Sequence, residues 1–218
     1  MGDYKYEDEY REKYKDTPLE DIIIFRSGPM PDTYIHGMDF DDNARALFEY
    51  GLSVGLDKKY KLVWIVKDPS EWADRFKAYE NVIFVSWEDA DSDDVSKRDN
   101  FFYHLCLAKY LFMTDTYGFA LGSRPDQVRV MLWHGCGFKT RLGFKPNEHN
   151  YEYMTVTGDE YARTYAKVFG LRDDQMLVTG YPKVDYVFHH DEKWRKKLKV
   201  RAAKKYIFWL ALKIIFFL

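Results

Sequence analysis

A histidine stands where an apolar run of the sequence meets a glycine-rich turn. The segment VRVMLWHGCGFKTRLG (128–143) loses its apolar character after Trp133, and His134 is followed by Gly135 and Gly137. A neutral imidazole can accept a proton from a hydroxyl group as that hydroxyl attacks an electrophile. We therefore take His134 as the candidate general base. The alternative is a histidine that is simply hydrogen-bonded within a loop.

Two cations follow this histidine closely, at Lys139 and Arg141. Both side chains pair well with phosphate oxygens, although cations in loops are more often only solvated. Gly135 and Gly137 permit a close approach of the backbone to a ligand or a positive φ, and both also suit an ordinary turn. Together these residues predict an active-site edge for a phosphorylated substrate.

Two other chemistries are disfavoured by spacing. Cys136 adjoins His134, but adjacent side chains point apart and no third group orients them, so a cysteine nucleophile is disfavoured. His189 and His190 lack the helical spacing of a metal-binding histidine pair. The sequence therefore predicts no metal site and identifies no cofactor, and it leaves a requirement for Mg²⁺ open.

The elements that must position His134 are short apolar strands that alternate with amphipathic helices. The predicted strands are 22–27, 61–68, 81–87, 111–115, 128–135, 151–158 and 176–181, and the predicted helices are 41–52, 70–79, 96–110 and 159–170. This alternation predicts an α/β fold with a Rossmann-like, mainly parallel sheet and helices on both faces. No G-x-G-x-x-G follows the first strand, so the usual dinucleotide site is not predicted.

Ligands of such sheets bind beyond the carboxyl ends of the strands. Thr157 and Gly158 occupy one such end, before a helix whose N-terminal amides suit an anion, although a capping Asp159 would disfavour one. Tyr181 and Asp185 follow the last predicted strand. We include all four of Thr157, Gly158, Tyr181 and Asp185 as candidate substrate-binding residues. A domain-linking turn is the alternative for the last two.

Composition excludes several classes of protein. The 218 residues carry a formal charge of −2, so the basic signature of a nucleic-acid-binding protein is missing. Only two cysteines occur, without CxxC spacing, which indicates a reducing compartment. The charged N-terminus does not read as a signal peptide, so we expect a cytoplasmic protein.

The chain divides into three predicted regions: a polar arm at 1–20, a Rossmann-like domain at 21–190, and a basic linker with an apolar tail at 191–218. The apolar stretch 206–218 is shorter than the roughly 20 residues that span a bilayer. We interpret it as a strand that lacks its partners, the alternative being a segment that lies on an anionic membrane surface. Either form predicts self-association or adherence to membranes.

The order of these elements resembles the CDP-glycerol glycerophosphotransferase family of teichoic acid synthesis. The resemblance extends over about residues 22–188, and its most specific parts are WHG-x-x-x-K-x-x-x-G at 133–143 and TGYP-x-x-D at 179–185. It implies a GT-B-type transferase, in which two Rossmann-like domains face each other across a cleft. This chain resembles the N-terminal, acceptor-side domain, and KKYIFW (204–209) resembles the first strand of the second domain.

The resemblance also implies an activity: transfer of glycerol phosphate from CDP-glycerol to a lipid-linked acceptor, at the inner face of the cell membrane. His134 would be the base, with Lys139 and Arg141 as electrostatic partners. The sequence departs from the family at Cys136–Gly137, where a small hydroxyl residue is usual, and after KKYIFW, where the expected proline-threonine-arginine stretch is missing. We therefore expect the chain by itself not to turn over CDP-glycerol.

Two alternatives remain open. One is a different GT-B glycosyltransferase that acts on surface polysaccharide. The other is a non-catalytic half that only binds an acceptor, a membrane or a partner. An assay that compares CDP-glycerol with nucleotide sugars would separate the first alternative from the family activity.

Overall fold

The computed structural model describes residues 4–28, 39–114, 124–135 and 151–188. In these ranges the strands are β1 Glu20–Arg26, β2 Lys61–Val66, β3 Val82–Ser86, β4 Ala108–Met113, β5 Val128–Met131, β6 Tyr153–Val156 and β7 Met176–Val178. The helices are α1 Glu7–Tyr14, α2 Asp42–Ser53, α3 Pro69–Phe76, α4 Val95–Leu107, α5 Asp159–Phe169 and α6 Asp185–Phe188. Short 3₁₀ turns cover Leu56–Lys58, Trp87–Asp91, Asp173–Gln175 and Pro182–Val184.

The strands form one sheet in the order β3-β2-β1-β4-β5-β6-β7, and every neighbouring pair is parallel. Parallel neighbours need crossover connections, and α2, α3, α4 and α5 supply four of the six. The β4–β5 and β5–β6 connections include residues outside the described ranges. The chain moves outward from β1 to β3, returns to pair β4 with the other side of β1, and then continues outward to β7. This arrangement confirms the predicted α/β, Rossmann-like fold.

Alternate residues of the central strand face two separate hydrophobic cores. Ile22 and Ile24 of β1 belong to the core beneath α4 and α5, whereas Ile23 and Phe25 belong to the core beneath α2 and α3. All four side chains are buried. A strand covered on both faces reads as a continuous apolar run, which is why IIIF in the sequence indicated a buried strand.

The boundary between α4 and β4 differs from the prediction. The sequence predicted a helix to residue 110 and a strand from 111, but the helix ends at Leu107 and the strand begins at Ala108. The side-chain amide of Gln127 donates hydrogen bonds to the carbonyls of Leu105 and Ala108 at 2.8 and 2.9 Å. A tertiary contact therefore satisfies carbonyls at this helix end.

Two helix starts also differ from the prediction. The helix predicted to begin at residue 41 begins at Asp42, and the side chain of Asp41 at the N-cap position makes no capping bond. Asp42 Oδ1 accepts from the Asn43 N–H at 2.7 Å, and the Ala44 N–H donates to Thr114 Oγ1, beyond the end of β4, at 3.0 Å. The predicted capping by Asp159 was wrong as well, because Gly158 occupies the N-cap position of α5 and Asp159 lies in the first turn. An acidic residue in the first turn still interacts favourably with the helix dipole.

The predicted N-terminal arm contains helix α1, which packs on α4. Tyr10 is buried, and its ring stacks on Phe102 at a centroid distance of 4.4 Å. The Tyr10 hydroxyl donates to Asp99 at 2.7 Å. The third predicted region, 191–218, lies outside the described residues. Among the helices that are described, none is long and apolar enough to cross a membrane.

Candidate functional site

His134 lies beyond the carboxyl end of β5. The strand ends at Met131, and the Leu132 N–H still donates to the Met113 carbonyl of neighbouring β4 at 2.7 Å. The hydroxyl of Thr155 in β6 donates to the Leu132 carbonyl at 2.8 Å. Both adjacent strands, β4 and β6, therefore hydrogen-bond to Leu132, one residue beyond the end of β5. His134 then emerges half-buried, as predicted for a residue at this edge of the sheet.

The residue before His134 has an uncommon backbone conformation. Trp133 has φ of 57°, in the left-handed region that bulky side chains rarely adopt. Its side chain is 1% exposed and packs edge-on against Phe169 of α5 at a centroid distance of 4.9 Å. The imidazole of His134 lies against the same indole, at 4.1 Å between ring centroids. The left-handed residue here is Trp133; Gly135 is not among the residues with positive φ.

Two residues from distant parts of the chain, Asn43 and Lys183, bind the carbonyls of this turn. Asn43 Nδ2 donates to the Trp133 carbonyl at 2.6 Å, and Lys183 Nζ donates to the His134 carbonyl at 2.7 Å. Lys183 Nζ also donates to Asp42 Oδ2 at 2.8 Å, and the Lys183 N–H donates to Asn43 Oδ1 at 3.0 Å. We call Asp42, Asn43 and Lys183 the His134 clamp.

Two tyrosines bind the next carbonyl. The hydroxyls of Tyr181 and Tyr165 donate to the Gly135 carbonyl at 3.1 and 3.4 Å. Tyr181 was a candidate substrate-binding residue, and the structure places it 4% exposed, directly against the turn that carries His134. Its described polar contact is thus with the turn itself, so the late TGYP segment and the WHG segment meet in space.

Thr157 and Gly158 lie at the same edge of the sheet as His134. The pairing of Met131 with Met154 places the end of β6 beside the end of β5. Thr157 is exposed, and Gly158 is extended, with φ of 177°. The Gly180 N–H donates to the Val156 carbonyl at 2.9 Å, which brings the segment after β7 against the same edge. The structure therefore brings these two candidates to the edge where His134 lies.

Asp185 lies beside a cavity of about 680 Å³ between α2 and strands β4 to β7. Most of its lining is apolar, with Leu132, Phe112 and Tyr50 among the contributors. Asp185 is exposed and begins α6, and it lines this cavity together with Tyr181. His134 is not among the residues that line this cavity.

The remaining candidates are not placed by the structure. Gly137, Lys139 and Arg141 lie outside the described residues, as do Cys136 and the His189–His190 pair. Within the ranges that are described, no group of three or more His, Cys, Asp or Glu side chains is arranged to hold a metal ion.

Sequence reasoning missed the clamp residues, although it had noted their surroundings. Asp42 and Asn43 stand at the start of the predicted helix 41–52, and Lys183 falls inside the YP-x-x-D pattern as an unspecified residue. The sequence did contain one indication of the Asn43 contact. An asparagine expected to be buried at a helix start needs a hydrogen-bond partner, because buried amides are nearly always hydrogen-bonded. Nothing in the sequence alone indicated that its partner lies 90 residues away.

Comparisons with known proteins agree with the observed fold. Residues 30–210 match the family model described as CDP-Glycerol:Poly(glycerophosphate) glycerophosphotransferase. The chain is 28% identical over 157 residues to a teichoic acid poly(ribitol-phosphate) polymerase of Bacillus spizizenii, an alignment that covers 66% of this chain and 25% of the relative. It is 23% identical over 205 residues to a teichoic acid glycerol-phosphate transferase of Staphylococcus aureus, covering 84% of this chain and 47% of that protein.

Solved structures of the wall teichoic acid polymerase TagF share the fold. One superposes with a TM-score of 0.63 at 14% identity, over 90% of this chain and 47% of the TagF chain. Another, of a variant soaked with CDPG, gives a TM-score of 0.61 at 15% identity over 91% and 50% of the two chains. The chain thus spans half or less of the length of these relatives. Because the family model matches most of its residues, the chain belongs to the CDP-glycerol:poly(glycerophosphate) glycerophosphotransferase family.

Proposed function

We propose that this chain supplies the histidine-bearing, acceptor-side part of a transferase of teichoic acid or related surface-polymer synthesis. The enzyme moves glycerol phosphate from CDP-glycerol to a lipid-linked acceptor at the cytoplasmic face of the membrane. The family match over residues 30–210 is the observation that carries this proposal. The relatives bear the names of glycerol-phosphate and ribitol-phosphate transferases, so a polyol phosphate is the group transferred.

In the proposed reaction an acceptor hydroxyl attacks the β-phosphorus of CDP-glycerol in line with the leaving group. A bond forms between the acceptor oxygen and that phosphorus, and the bond from the phosphorus to the bridging oxygen breaks. CMP leaves with the bridging oxygen, and the hydroxyl proton passes to the imidazole of His134. General base catalysis of this kind contributes roughly 10²- to 10⁴-fold to a rate.

The other candidates take electrostatic and positioning parts in this proposal. Lys139 and Arg141 neutralise charge that develops on the phosphoryl oxygens, where preorganised cations are most effective. Gly135 and Gly137 let the backbone approach the phosphate. Thr157 and Gly158 share the carboxyl edge of the sheet with His134, which supports a place beside the same ligand.

The test is release of CMP from CDP-glycerol in the presence of a lipid-linked acceptor. The chain covers at most half the length of these relatives, so two proteins are assayed. One is the chain by itself, and the other is the chain fused to the second half of a family relative. We expect His134→Asn to lower turnover at least 10²-fold while the circular dichroism spectrum stays unchanged.

His104→Gln serves as the control. This histidine is buried in α4, its Nδ1 lies 2.8 Å from the Asn100 carbonyl, and burial lowers the pKa of its imidazole. Assayed below its thermal transition, the control should retain turnover. Full activity of the His134→Asn protein, or turnover of a nucleotide sugar in place of CDP-glycerol, would contradict the proposal. CDP-ribitol in a parallel reaction identifies which polyol is transferred.

A further inference from the structure

The peptide units on both sides of the His134 Cα are bound through their carbonyl oxygens. Asn43 Nδ2 lies 2.6 Å from the Trp133 carbonyl oxygen, and Lys183 Nζ lies 2.7 Å from the His134 carbonyl oxygen. Fixing these two peptide units fixes φ and ψ of His134. The direction of the Cα–Cβ bond, from which the imidazole extends, is then fixed as well.

The two binding residues are bonded to each other. The Lys183 N–H donates to Asn43 Oδ1 at 3.0 Å, and the Lys183 ammonium is held a second time by Asp42 Oδ2 at 2.8 Å. Asn43 is 0% exposed, so its amide uses both a donor and its acceptor in a buried setting. A buried amide with satisfied partners is rigid, and removing one partner leaves a costly unpaired group.

The bound conformation is one that the local sequence would not adopt unaided. A left-handed conformation at a bulky residue such as Trp133 is strained and persists only when the surroundings impose it. Two contacts stabilise this conformation: the hydrogen bond from Asn43 to the Trp133 carbonyl and the packing of the indole against Phe169. The clamp therefore helps to set the direction in which the chain leaves β5.

We propose that Asn43 and Lys183 are positioning residues for His134: they hold the backbone on both sides of this histidine so that its imidazole points at the reacting hydroxyl. The inference rests on the proposed role of His134 and adds two residues to that site. Neither residue touches the reacting atoms in this proposal; both act through the backbone of the turn.

The decisive measurement is the ¹³Cε1–¹Hε1 cross-peak of His134 in the full 218-residue chain, assigned by its disappearance in His134→Gln. Asn43→Asp is nearly isosteric and exchanges the Nδ2 donor for an acceptor facing the Trp133 carbonyl. We expect this variant to displace or broaden the His134 signal and to speed amide exchange in the 128–135 segment. Asn81→Asp is the matched control, because Asn81 Nδ2 also donates to a backbone carbonyl, that of Asp57, at an exposed position.

Lys183 offers a rescue experiment. Lys183→Met removes the donor to the His134 carbonyl and should move the same cross-peak, whereas Lys183→Arg keeps a cationic donor and should restore most of its wild-type position. Lys167→Met, at an exposed lysine of α5, should leave the signal unchanged. In the transferase assay, displaced variants should lose about 10²-fold in kcat with KM within about twofold, as expected when a catalytic group is misplaced by about 1 Å.

A His134 signal that does not move in folded Asn43→Asp and Lys183→Met proteins overturns the clamp. So does a displacement that Lys183→Arg fails to reverse, because the backbone bond then plays no specific part. These outcomes leave the proposed function intact. Full turnover by His134→Asn would instead remove the proposed function while leaving the structural effect of the clamp measurable.

Discussion

Two turns of this chain have the same four-residue pattern and the same hydrogen bonds. R-P-D-Q at 124–127 precedes β5, and R-D-D-Q at 172–175 precedes β7. In each, the glutamine Oε1 accepts from the backbone N–H of the arginine, at 2.9 and 3.0 Å. In each, the guanidinium donates through two nitrogens to the aspartate two residues on.

The glutamine amides of both turns also donate to two backbone carbonyls each. Gln127 binds the carbonyls of Leu105 and Ala108, where α4 meets β4. Gln175 binds the carbonyls of Tyr151 and Glu152, which lead into β6, at 3.1 and 3.0 Å. The shared pattern thus starts a strand and joins it to the beginning of the neighbouring strand.

The arginines differ. The Arg124 side chain is 7% exposed, and its Nη1 donates to the carbonyls of Tyr14 and Thr17 at the end of α1. The Arg172 side chain is 71% exposed and binds only its own turn in the contacts described. One sequence pattern therefore gives the same local turn twice, but only the first copy also holds the N-terminal helix. Burial, which the pattern does not encode, decides the difference.

The largest effect should come from the buried glutamine of the first turn. Gln127→Ala leaves two buried carbonyls without their donor, each costing about 1–3 kcal/mol, and we expect a loss of about 3 kcal/mol in the free energy of unfolding. Gln175→Ala should cost less, because it serves the partly exposed start of β6 near the sheet edge. Urea unfolding of both variants measures the two losses, and a larger loss for Gln175→Ala would break the comparison.

A smaller effect should come from the arginine that reaches α1. Arg124→Ala removes charge-assisted bonds to two carbonyls, and hydrogen bonds to charged groups are worth roughly 1.5–3 kcal/mol. We expect about 2 kcal/mol of destabilisation, together with faster amide exchange in residues 7–14. If exchange accelerates uniformly over the domain instead, Arg124 does not hold α1 in particular.

The smallest effect should come from the exposed arginine. The hydrogen bond from Arg172 lowers the pKa of Asp174, so its contribution is present above the ordinary carboxyl pKa of about 4 and is lost as pH falls through the lowered value. Arg172→Ala should return the pKa of Asp174 toward its ordinary range with no measurable change in the urea midpoint at pH 7. The Asp174 carboxyl carbon, followed by NMR during an acid titration, reports the pKa, and urea unfolding at pH 7 reports the midpoint. A clear midpoint shift would show that the exposure of Arg172 does not limit its contribution to stability.

Much of the fold could be predicted from local pattern, since each buried strand is a short apolar run and four of the six connections between successive strands contain a helical period. The edge that carries His134 could also be predicted, because polar residues must follow the strands of a parallel sheet where ligands bind. The place of Thr157 and Gly158 beside that edge follows from the same rule.

The features that could not be predicted from the sequence depend on contacts between distant residues. FFYHLCLAKYLFM (101–113) has no residue that breaks a helix, so its change from α4 to β4 could not be placed without Gln127. The left-handed Trp133 likewise has no local signal, because Asn43 imposes it from 90 residues away. Propensity gives way to tertiary contacts at such positions, and here one of them adjoins the candidate base.

The position of α1 has a consequence for how the chain is made. The arginine that binds the last turn of this helix is made 110 residues after it. At synthesis rates of about 5–20 residues per second, the helix waits roughly 5 to 20 seconds for that partner. The apolar face around Tyr10 remains uncovered for most of that interval, until Phe102, on which its ring stacks, has been made. The segment that carries α1 therefore needs protection from premature association while the residues up to Arg124 are being synthesised.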